Sequence, residues 1–184
     1  SYTEAGDKLF VTLRDGLGTI DLRSLGKGPT PVEQIAEGRA GSPIVGKKTR
    51  QVFYSRDGGI WATHVDTKVT REIVKLPPGF SGASGLAINA DETLLASTGS
   101  VFARPRGGGG PGGGPAEARE GSGAPPAPQF GRRGRGAFGN GSDRSMVLFT
   151  VSIASGEIKP VHYERAWLNH TQFSPTDPQQ ILFC

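Results

Sequence analysis

The sequence predicts an all-β fold, a partial β-propeller, from three observations: a repeat of about 42 residues, several strand-like runs in each repeat and no helical pattern. Residues 6–22 and 47–66 match when aligned, with their Arg-Asp-Gly triplets 42 residues apart. Further copies begin with SGLAINADETLLAST (84–98) and HTQFSPTDPQQILF (170–183). Four short strands in a repeat of this length are typical of a propeller blade.

Each repeat contains the same elements in the same order. A short apolar run and a polar turn precede an alternating run such as VFYS or LLAS, and a second turn leads to IWATHV or MVLFTVSI. A last run, REIVKL or EIKPVHY, completes the copy. Runs rich in Val, Ile, Phe and Thr, bounded by Gly, Asp and Ser, predict strands.

The pattern predicts about three and a half four-stranded blades over residues 1–184: two complete, one interrupted and the first half of another. Propellers close their ring to protect strand edges. Because the chain starts inside one blade and ends inside another, we expect a fragment of a longer protein. It also opens without methionine, so an N-terminus with a targeting signal can precede it.

Residues 103–144 interrupt the third blade. They hold 14 glycines, 6 prolines and a net charge of +4, which equals the net charge of the whole chain. So few apolar groups cannot offset the entropy of ordering, and we predict a disordered insert. Its simplest interpretation is a tolerated surface insertion. An alternative hypothesis is that its arginines gather anionic substrate.

Composition excludes several classes of protein. The positive charge lies in the insert and not on an ordered face, so no specific nucleic-acid partner is expected. A single cysteine excludes an internal disulfide framework. No run of about 18 apolar residues is present, so we expect no membrane span. Oligomeric state is left open.

His170 and Gln172 are the candidate site residues of the fourth repeat. Two positions apart on a predicted first strand, they would point to the same side, toward the central channel. Aligning Asp91 with Asp177 places Ser84 opposite His170 and Leu86 opposite Gln172, so the repeat does not require imidazole. Two interpretations stay open for His170: a histidine bonded to nearby backbone carbonyls, or a general base. Gln172 is a candidate for orienting substrate.

The other histidines, the cysteine and the tryptophans are interpreted as structural residues. Neither His64 nor His162 has a polar residue at a spacing that would indicate a catalytic site. Cys184 follows three apolar residues and is predicted to be a buried thiol and not a nucleophile. Trp61 and Trp167 are predicted to pack, although Trp167 lies close enough to the channel mouth to flank a sugar ring.

The segment WLNHTQFSPTDPQQILFC resembles the oligogalacturonate lyases of polysaccharide lyase family 22, seven-bladed propellers with TolB-like repeats. The stretches EGRAGSPIVGKKTRQVFYSRDGGIWATHVDT and PPGFSGASGLAINADETLLAST resemble the second and third blades of such enzymes. The resemblance covers the chain outside the insert. It implies an N-terminal fragment of about half a seven-bladed ring.

The resemblance also implies an activity: β-elimination on short uronic-acid oligomers derived from pectin. A histidine acts as Brønsted base in this family, and His170 matches its motif position. Manganese is the implied cofactor, with ligands in later blades beyond Cys184, so no metal ligand is assigned in this chain. The implied partner is an oligogalacturonide, and the resemblance favours a cytoplasmic location.

Two other functions remain open. One is a non-catalytic TolB-like propeller that serves as a binding platform, which would show no metal-dependent formation of unsaturated product. The other is RNA binding through the Arg-Gly segments of the insert, whose mark would be a steep loss of affinity with salt. No aromatic stacking platform accompanies those arginines.

Overall fold

The computed structural model describes Thr3, residues 5–102 and residues 144–184. These residues form thirteen β-strands and one short 3-10 helix, Leu22–Ser24, without any α-helix. No helix among them is long and apolar enough to cross a membrane. The predicted all-β class is confirmed. The predicted disorder of the insert concerns residues that lie outside the described ranges, apart from Arg144.

The strands form four antiparallel sheets that follow one another along the chain. The first sheet consists of β1 (Lys8–Leu13), β2 (Gly16–Asp21) and β3 (Glu33–Glu37). The second consists of β4 (Gly41–Gly46), β5 (Gln51–Arg56), β6 (Gly59–His64) and β7 (Thr70–Lys75). The first sheet is thus a blade with three strands in the described part of the chain.

The third sheet consists of β8 (Phe80–Ile88), β9 (Leu94–Phe102), β10 (Arg144–Ser152) and β11 (Ile158–Glu164). The fourth holds β12 (Gln172–Phe173) and β13 (Ile181–Leu182). Sheets of three, four, four and two strands agree with the predicted three and a half blades. The insert replaces the hairpin turn between β9 and β10, since Phe102 pairs directly with Arg144.

The first strands of successive sheets lie side by side, β4 against β8 and β8 against β12. The last strands, β7 and β11, are mostly exposed. Each sheet therefore runs outward from a common inner side, as the blades of a propeller do. The first strands of the second, third and fourth sheets, β4, β8 and β12, are the inner strands.

The core consists of apolar layers between neighbouring sheets. Alternation along β5 sends Val52 and Tyr54 to the layer shared with the first sheet, and Phe53 to the layer shared with the third. All three side chains are buried. A smaller layer around Phe173 joins the third and fourth sheets. Because both faces of these strands are buried, their sequences are continuous apolar runs.

The structural repeat is 43 residues in these sheets and not 42. The carbonyls of Asp7, Arg50 and Thr93 accept equivalent hydrogen bonds from the residues that directly follow β2, β6 and β10. Asp7 and Arg50 are 43 residues apart, and Thr93 follows at the same spacing. The first hairpin turns at Arg14 and Asp15, the first two residues of its Arg-Asp-Gly triplet. The second turns at Asp57 and Gly58, the last two residues of its triplet. The triplets are therefore 42 residues apart although the strands repeat every 43.

Candidate functional site

One backbone feature recurs on all three inner strands. Ser42, Gly85 and His170 have φ angles of 48°, 64° and 50°, in the left-handed region. Each lies four residues before the residue that closes the following hairpin: Gly46, Asn89 and Ser174. The pairing of β8 with β9 shifts between Ser84 and Ala87, and that of β4 with β5 shifts between Gly41 and Ile44. The three residues form equivalent bulges.

This equivalence corrects the alignment of the fourth repeat. His170 corresponds to Gly85 and not to Ser84, and Gln172 corresponds to Ala87 and not to Leu86. The error arose at Asp177, because the connection between β12 and β13 (residues 174–180) is longer than that between β8 and β9 (residues 89–93). The repeat still does not require imidazole at this position, since the second and third sheets carry serine and glycine where the fourth carries histidine.

The bulge also corrects the expected relation between His170 and Gln172. Strand β12 starts at Gln172, so His170 precedes the strand and its left-handed backbone breaks the side-chain alternation. Gln172 is exposed and pairs with Leu182 across the hairpin. Within the described residues, the side chains of His170 and Gln172 form no hydrogen bond with each other. The strand alternation from which their shared orientation was predicted is therefore absent, and the role of Gln172 stays a prediction.

The His170 side chain is exposed and contacts the last residue of the chain. Its Nδ1 lies 3.2 Å from Cys184 Sγ, and its backbone N–H donates to Asn169 Oδ1 at 2.9 Å. Asn169 and Cys184 exchange two backbone hydrogen bonds of 2.6 and 3.1 Å. His170 is thus placed on a paired backbone segment, with one ring nitrogen against sulfur.

Cys184 is exposed, which corrects the prediction of a buried thiol. It occupies the repeat position of Ser55 and Thr98, whose hydroxyls bond to the carbonyls of Gly41 and Ser84 across the bulge. Its Sγ lies 3.9 Å from the carbonyl of Asn169, the equivalent acceptor. The apolar residues before Cys184 suggested burial, but Leu182 and Phe183 are themselves exposed.

The other two histidines have local roles. His64 Nδ1 accepts hydrogen bonds from the backbone N–H groups of Asp66 and Thr67 at 3.2 and 3.3 Å, so it closes the turn after β6. His162 is exposed and lies over the Phe183 ring with 5.3 Å between centroids. Both were predicted to be structural or exposed. Trp167, in contrast with the packed Trp61, has 69% of its surface exposed.

A cleft of about 360 Å³ lies where the second and third sheets meet. It is lined at one end of the sheets by Gly41, at the start of an inner strand, and by the Asp57–Gly58 turn. We call this end the mouth face. Sequence analysis missed the two arginines of the cleft, Arg39 and Arg56. The one available signal was that the repeat places Gly82 and Gly99 at the corresponding positions.

The opposite end of the inner strands, the turn end, carries the strongest charge interactions of the described residues. Arg50 donates to both carboxylate oxygens of Asp7 at 3.0 and 3.1 Å and to both of Asp66 at 2.6 and 2.8 Å. Hydrogen bonds from the Arg50 guanidinium hold the pKa of Asp7 far below its usual range, helped by the Thr3 hydroxyl. The same guanidinium lowers the pKa of Asp66.

The described residues do not fit a manganese site. Among them, no three His, Cys, Asp or Glu side chains come together as a potential metal centre. The His170 and Cys184 pair offers a sulfur ligand, whereas manganese favours oxygen ligands. The chemistry below is therefore derived from the residues of this chain alone.

Comparison with known proteins finds similarity in structure only. No protein-family model and no curated protein sequence matches the chain. An oligogalacturonate lyase from Vibrio parahaemolyticus superposes with a TM-score of 0.67 at 16% identity, over all of this chain and 44% of that one. An oligogalacturonate lyase in complex with manganese gives 0.61 at 17% identity, again over the whole chain and 44% of the other.

Dipeptidyl peptidase 4 from Porphyromonas gingivalis gives a TM-score of 0.57 at 12% identity, over all of this chain and 28% of that one. These solved structures are enzymes, a lyase type and a peptidase type, and at such identities the likeness shows the fold alone. The chain spans less than half the length of the lyases that it matches. It has the fold of the corresponding part of an oligogalacturonate lyase.

Proposed function

We propose that the chain is part of a lyase that cleaves short uronic-acid oligomers, oligogalacturonides, by β-elimination, with His170 as the Brønsted base. One observation carries the proposal: an exposed imidazole stands at a strained inner-strand position where the other sheets have Ser42 and Gly85. Left-handed backbone costs a non-glycine residue about 1 kcal/mol. Retaining histidine there is explained if its side chain is needed.

The contacts of His170 favour a proton-accepting Nε2. The thiol of Cys184 can donate its proton to the Asn169 carbonyl, as the hydroxyls do in the other sheets. The sulfur then accepts a hydrogen bond from Nδ1–H at 3.2 Å. A neutral ring with its proton on Nδ1 has its lone pair on Nε2. Cys184 would thus act as a positioning residue for the base.

The reaction then requires a single proton transfer to the protein. Nε2 takes the proton from the carbon next to the uronate carboxylate, and the electron pair of that C–H bond forms a double bond to the adjacent carbon. The glycosidic oxygen on that carbon leaves with its bonding electrons and takes a proton from solvent. The products are a shortened oligomer and an unsaturated uronate. General-base catalysis of this kind contributes about 10²- to 10⁴-fold in rate.

The resemblance to oligogalacturonate lyases suggests manganese as cofactor, and one of the superposed lyases holds that metal. When bound, such an ion stabilises the negative charge that develops on the carboxylate. Its ligands are proposed to lie beyond Cys184, and no step above depends on them. Gln172, exposed beside the bulge, is proposed to contact substrate.

The test is turnover of digalacturonate by the full protein, measured by the ultraviolet absorbance of the unsaturated product with and without manganese. We expect wild-type turnover to need manganese, and His170→Gln to reduce it by about 10²- to 10⁴-fold. His162→Gln is the matched control, an exposed histidine outside the bulge, and should retain full turnover. Activity in His170→Gln at the wild-type rate would show that another group is the base. Absence of product from the wild type would favour the non-catalytic binding platform.

A further inference from the structure

The bulges of the second and third sheets are linked through one backbone N–H. The Gly85 N–H donates to Ser42 Oγ at 3.1 Å, and the two residues are 43 positions apart. A bulge takes its residue out of the regular pairing of the strand, so its N–H needs an acceptor of its own. At this junction the side chain of one bulge supplies that acceptor to the next.

The same link cannot form at the fourth sheet. The bulge one sheet before His170 is Gly85, which has no side chain that could accept a hydrogen bond. The His170 N–H donates instead to Oδ1 of Asn169, the residue directly before it, at 2.9 Å. Asn169 therefore supplies to the fourth bulge the acceptor that Ser42 supplies to the third.

Asn169 is itself fixed by its backbone. Its N–H donates to the Cys184 carbonyl at 2.6 Å, and its own carbonyl accepts from the Cys184 N–H at 3.1 Å. That carbonyl also lies 3.9 Å from Cys184 Sγ. Because its backbone is already ordered, the Asn169 side chain loses only its own rotamer freedom when it bonds to the His170 N–H. One residue thus contacts both the backbone of His170 and the cysteine beside its ring.

The repeat shows that a bulge does not need this contact. The equivalents of Asn169 are Gly41, which has no side chain, and Ser84. The Ser84 hydroxyl is turned to the neighbouring strand, 3.3 Å from the Thr98 carbonyl and 3.2 Å from Thr98 Oγ1. Among the three bulges that the structure describes, the side chain of the preceding residue binds the bulge N–H only where the bulge carries imidazole.

We propose that Asn169 is a positioning residue for His170: its amide oxygen holds the left-handed backbone, which keeps the ring against Cys184. The importance of that ring for catalysis rests on the proposed function. A φ of 50° is disfavoured for histidine, so release of its N–H favours return to extended backbone. The ring then leaves Cys184 Sγ, which lies 3.2 Å from Nδ1. Without that partner the proton moves to Nε2, the nitrogen that must stay free to accept the substrate proton.

The experiment is nitrogen NMR of the histidine rings in the full protein without manganese, about two units above the usual histidine pKa near 6.5. The shifts of Nδ1 and Nε2 report which nitrogen carries the proton. Asn169→Ala should move His170 from the Nδ1–H form toward the Nε2–H form, whereas the signals of His64 and His162 should not change. In turnover of digalacturonate with manganese, the same variant should lower kcat about tenfold with little change in KM.

A second substitution tests the repeat directly. Gly85→Ser in the Asn169→Ala background restores an acceptor one repeat before His170. The added side chain meets open space, and Ser42 shows that serine accepts the bulge conformation, with a φ of 48°. The double variant should recover most of the Nδ1–H form and most of the lost kcat. Ser84→Ala, which shortens the equivalent residue of the third sheet, is the matched control and should leave the His170 signals unchanged.

The outcomes separate this inference from the proposed function. Loss of the Nδ1–H form in Asn169→Ala, and its recovery with Gly85→Ser, supports the positioning role even if no product forms. Unchanged His170 signals in Asn169→Ala overturn it even if His170→Gln abolishes turnover. If Asn169→Ala does not fold, as checked by thermal melting, Asn169→Gln takes its place. Glutamine keeps the amide but carries its oxygen one methylene farther from the N–H, so retention of the Nδ1–H form in that variant also overturns the inference.

Discussion

The two ends of the inner strands use equivalent positions in different ways. At the turn end, residues 43 apart bind each other: Arg50 pairs with Asp7, and Glu92 accepts from Thr49. At the mouth face the bulges hold three different residues on the same backbone conformation: Ser42, Gly85 and His170. The turn end joins neighbouring sheets through charged side chains, whereas the residue at the bulge varies and the link there is a hydrogen bond from the Gly85 N–H to Ser42 Oγ at 3.1 Å. Catalytic and binding groups are therefore expected at the mouth face.

The largest expected effect on stability comes from breaking the turn end at Arg50. Arg50→Met removes four hydrogen bonds to two carboxylates that are 21% and 38% exposed. Because solvent screens part of the interaction, the free energy of unfolding should fall by about 2 kcal/mol, measured by urea denaturation. Arg23→Met, which breaks the exposed pair with Asp21, should leave the denaturation midpoint unchanged and serves as control.

The same variant should change the response to acid. Asp7 and Asp66 have folded pKa values below their unfolded values. Their contribution is therefore present above the unfolded pKa near 4 and is lost as pH falls through the lower folded values. The wild type should lose stability steadily below about pH 5, and Arg50→Met should lose less over the same interval. Parallel acid profiles for the two proteins would show that Arg50 does not set these pKa values.

A smaller loss is expected where the second and third sheets meet at the turn end. Glu92 accepts from the backbone N–H groups of Lys48 and Thr49, each at 2.8 Å, and from the Thr49 hydroxyl at 2.7 Å. Glu92→Ala keeps the backbone but leaves the partly buried N–H of Thr49 without its partner. Unfolding free energy should fall by about 1 kcal/mol. Glu157→Ala, in a surface turn after β10, is the control, and equal melting temperatures for the two variants would contradict a role in joining sheets.

The smallest expected effect on stability comes from two opposite substitutions at the bulges of the mouth face. His170→Gly should leave stability unchanged or raise it by up to about 1 kcal/mol, because glycine accepts a φ of 50° without strain. Gly85→Ala should lower stability by about 1 kcal/mol, although its added Cβ meets open space. Differential scanning calorimetry of both variants checks the signs. A destabilised His170→Gly would indicate that the imidazole is there for structure.

The sequence predicted the architecture well because blade strands are buried on both faces and bounded by turn residues. Val52, Phe53 and Tyr54 form an apolar run for this reason, and the run repeats with each sheet. Register was harder to predict, since a turn can absorb one residue without disturbing the strands beside it. Matching Asp91 to Asp177 therefore moved the fourth inner strand by one position.

The candidate site was predictable only in part. His170 stood out because the repeat lacked a histidine elsewhere on its inner strands, but its left-handed backbone has no sequence signal in a residue other than glycine. The exposure of Cys184 depends on what covers the edge of the fourth sheet, which local sequence does not report. Arg39 lies in the connection before β4 and Arg56 at the end of β5, so only the tertiary structure shows that they line one cleft.

The spacing of the contacts between sheets bears on how the chain reaches its fold during synthesis. Arg50 with Asp7, Gly85 with Ser42 and Glu92 with Thr49 all join a module to the one made immediately before it. A nascent chain leaving the ribosome can therefore dock each new sheet on a finished predecessor, without waiting for distant segments. Such stepwise assembly keeps the exposed edge limited to the most recent module at every stage of translation.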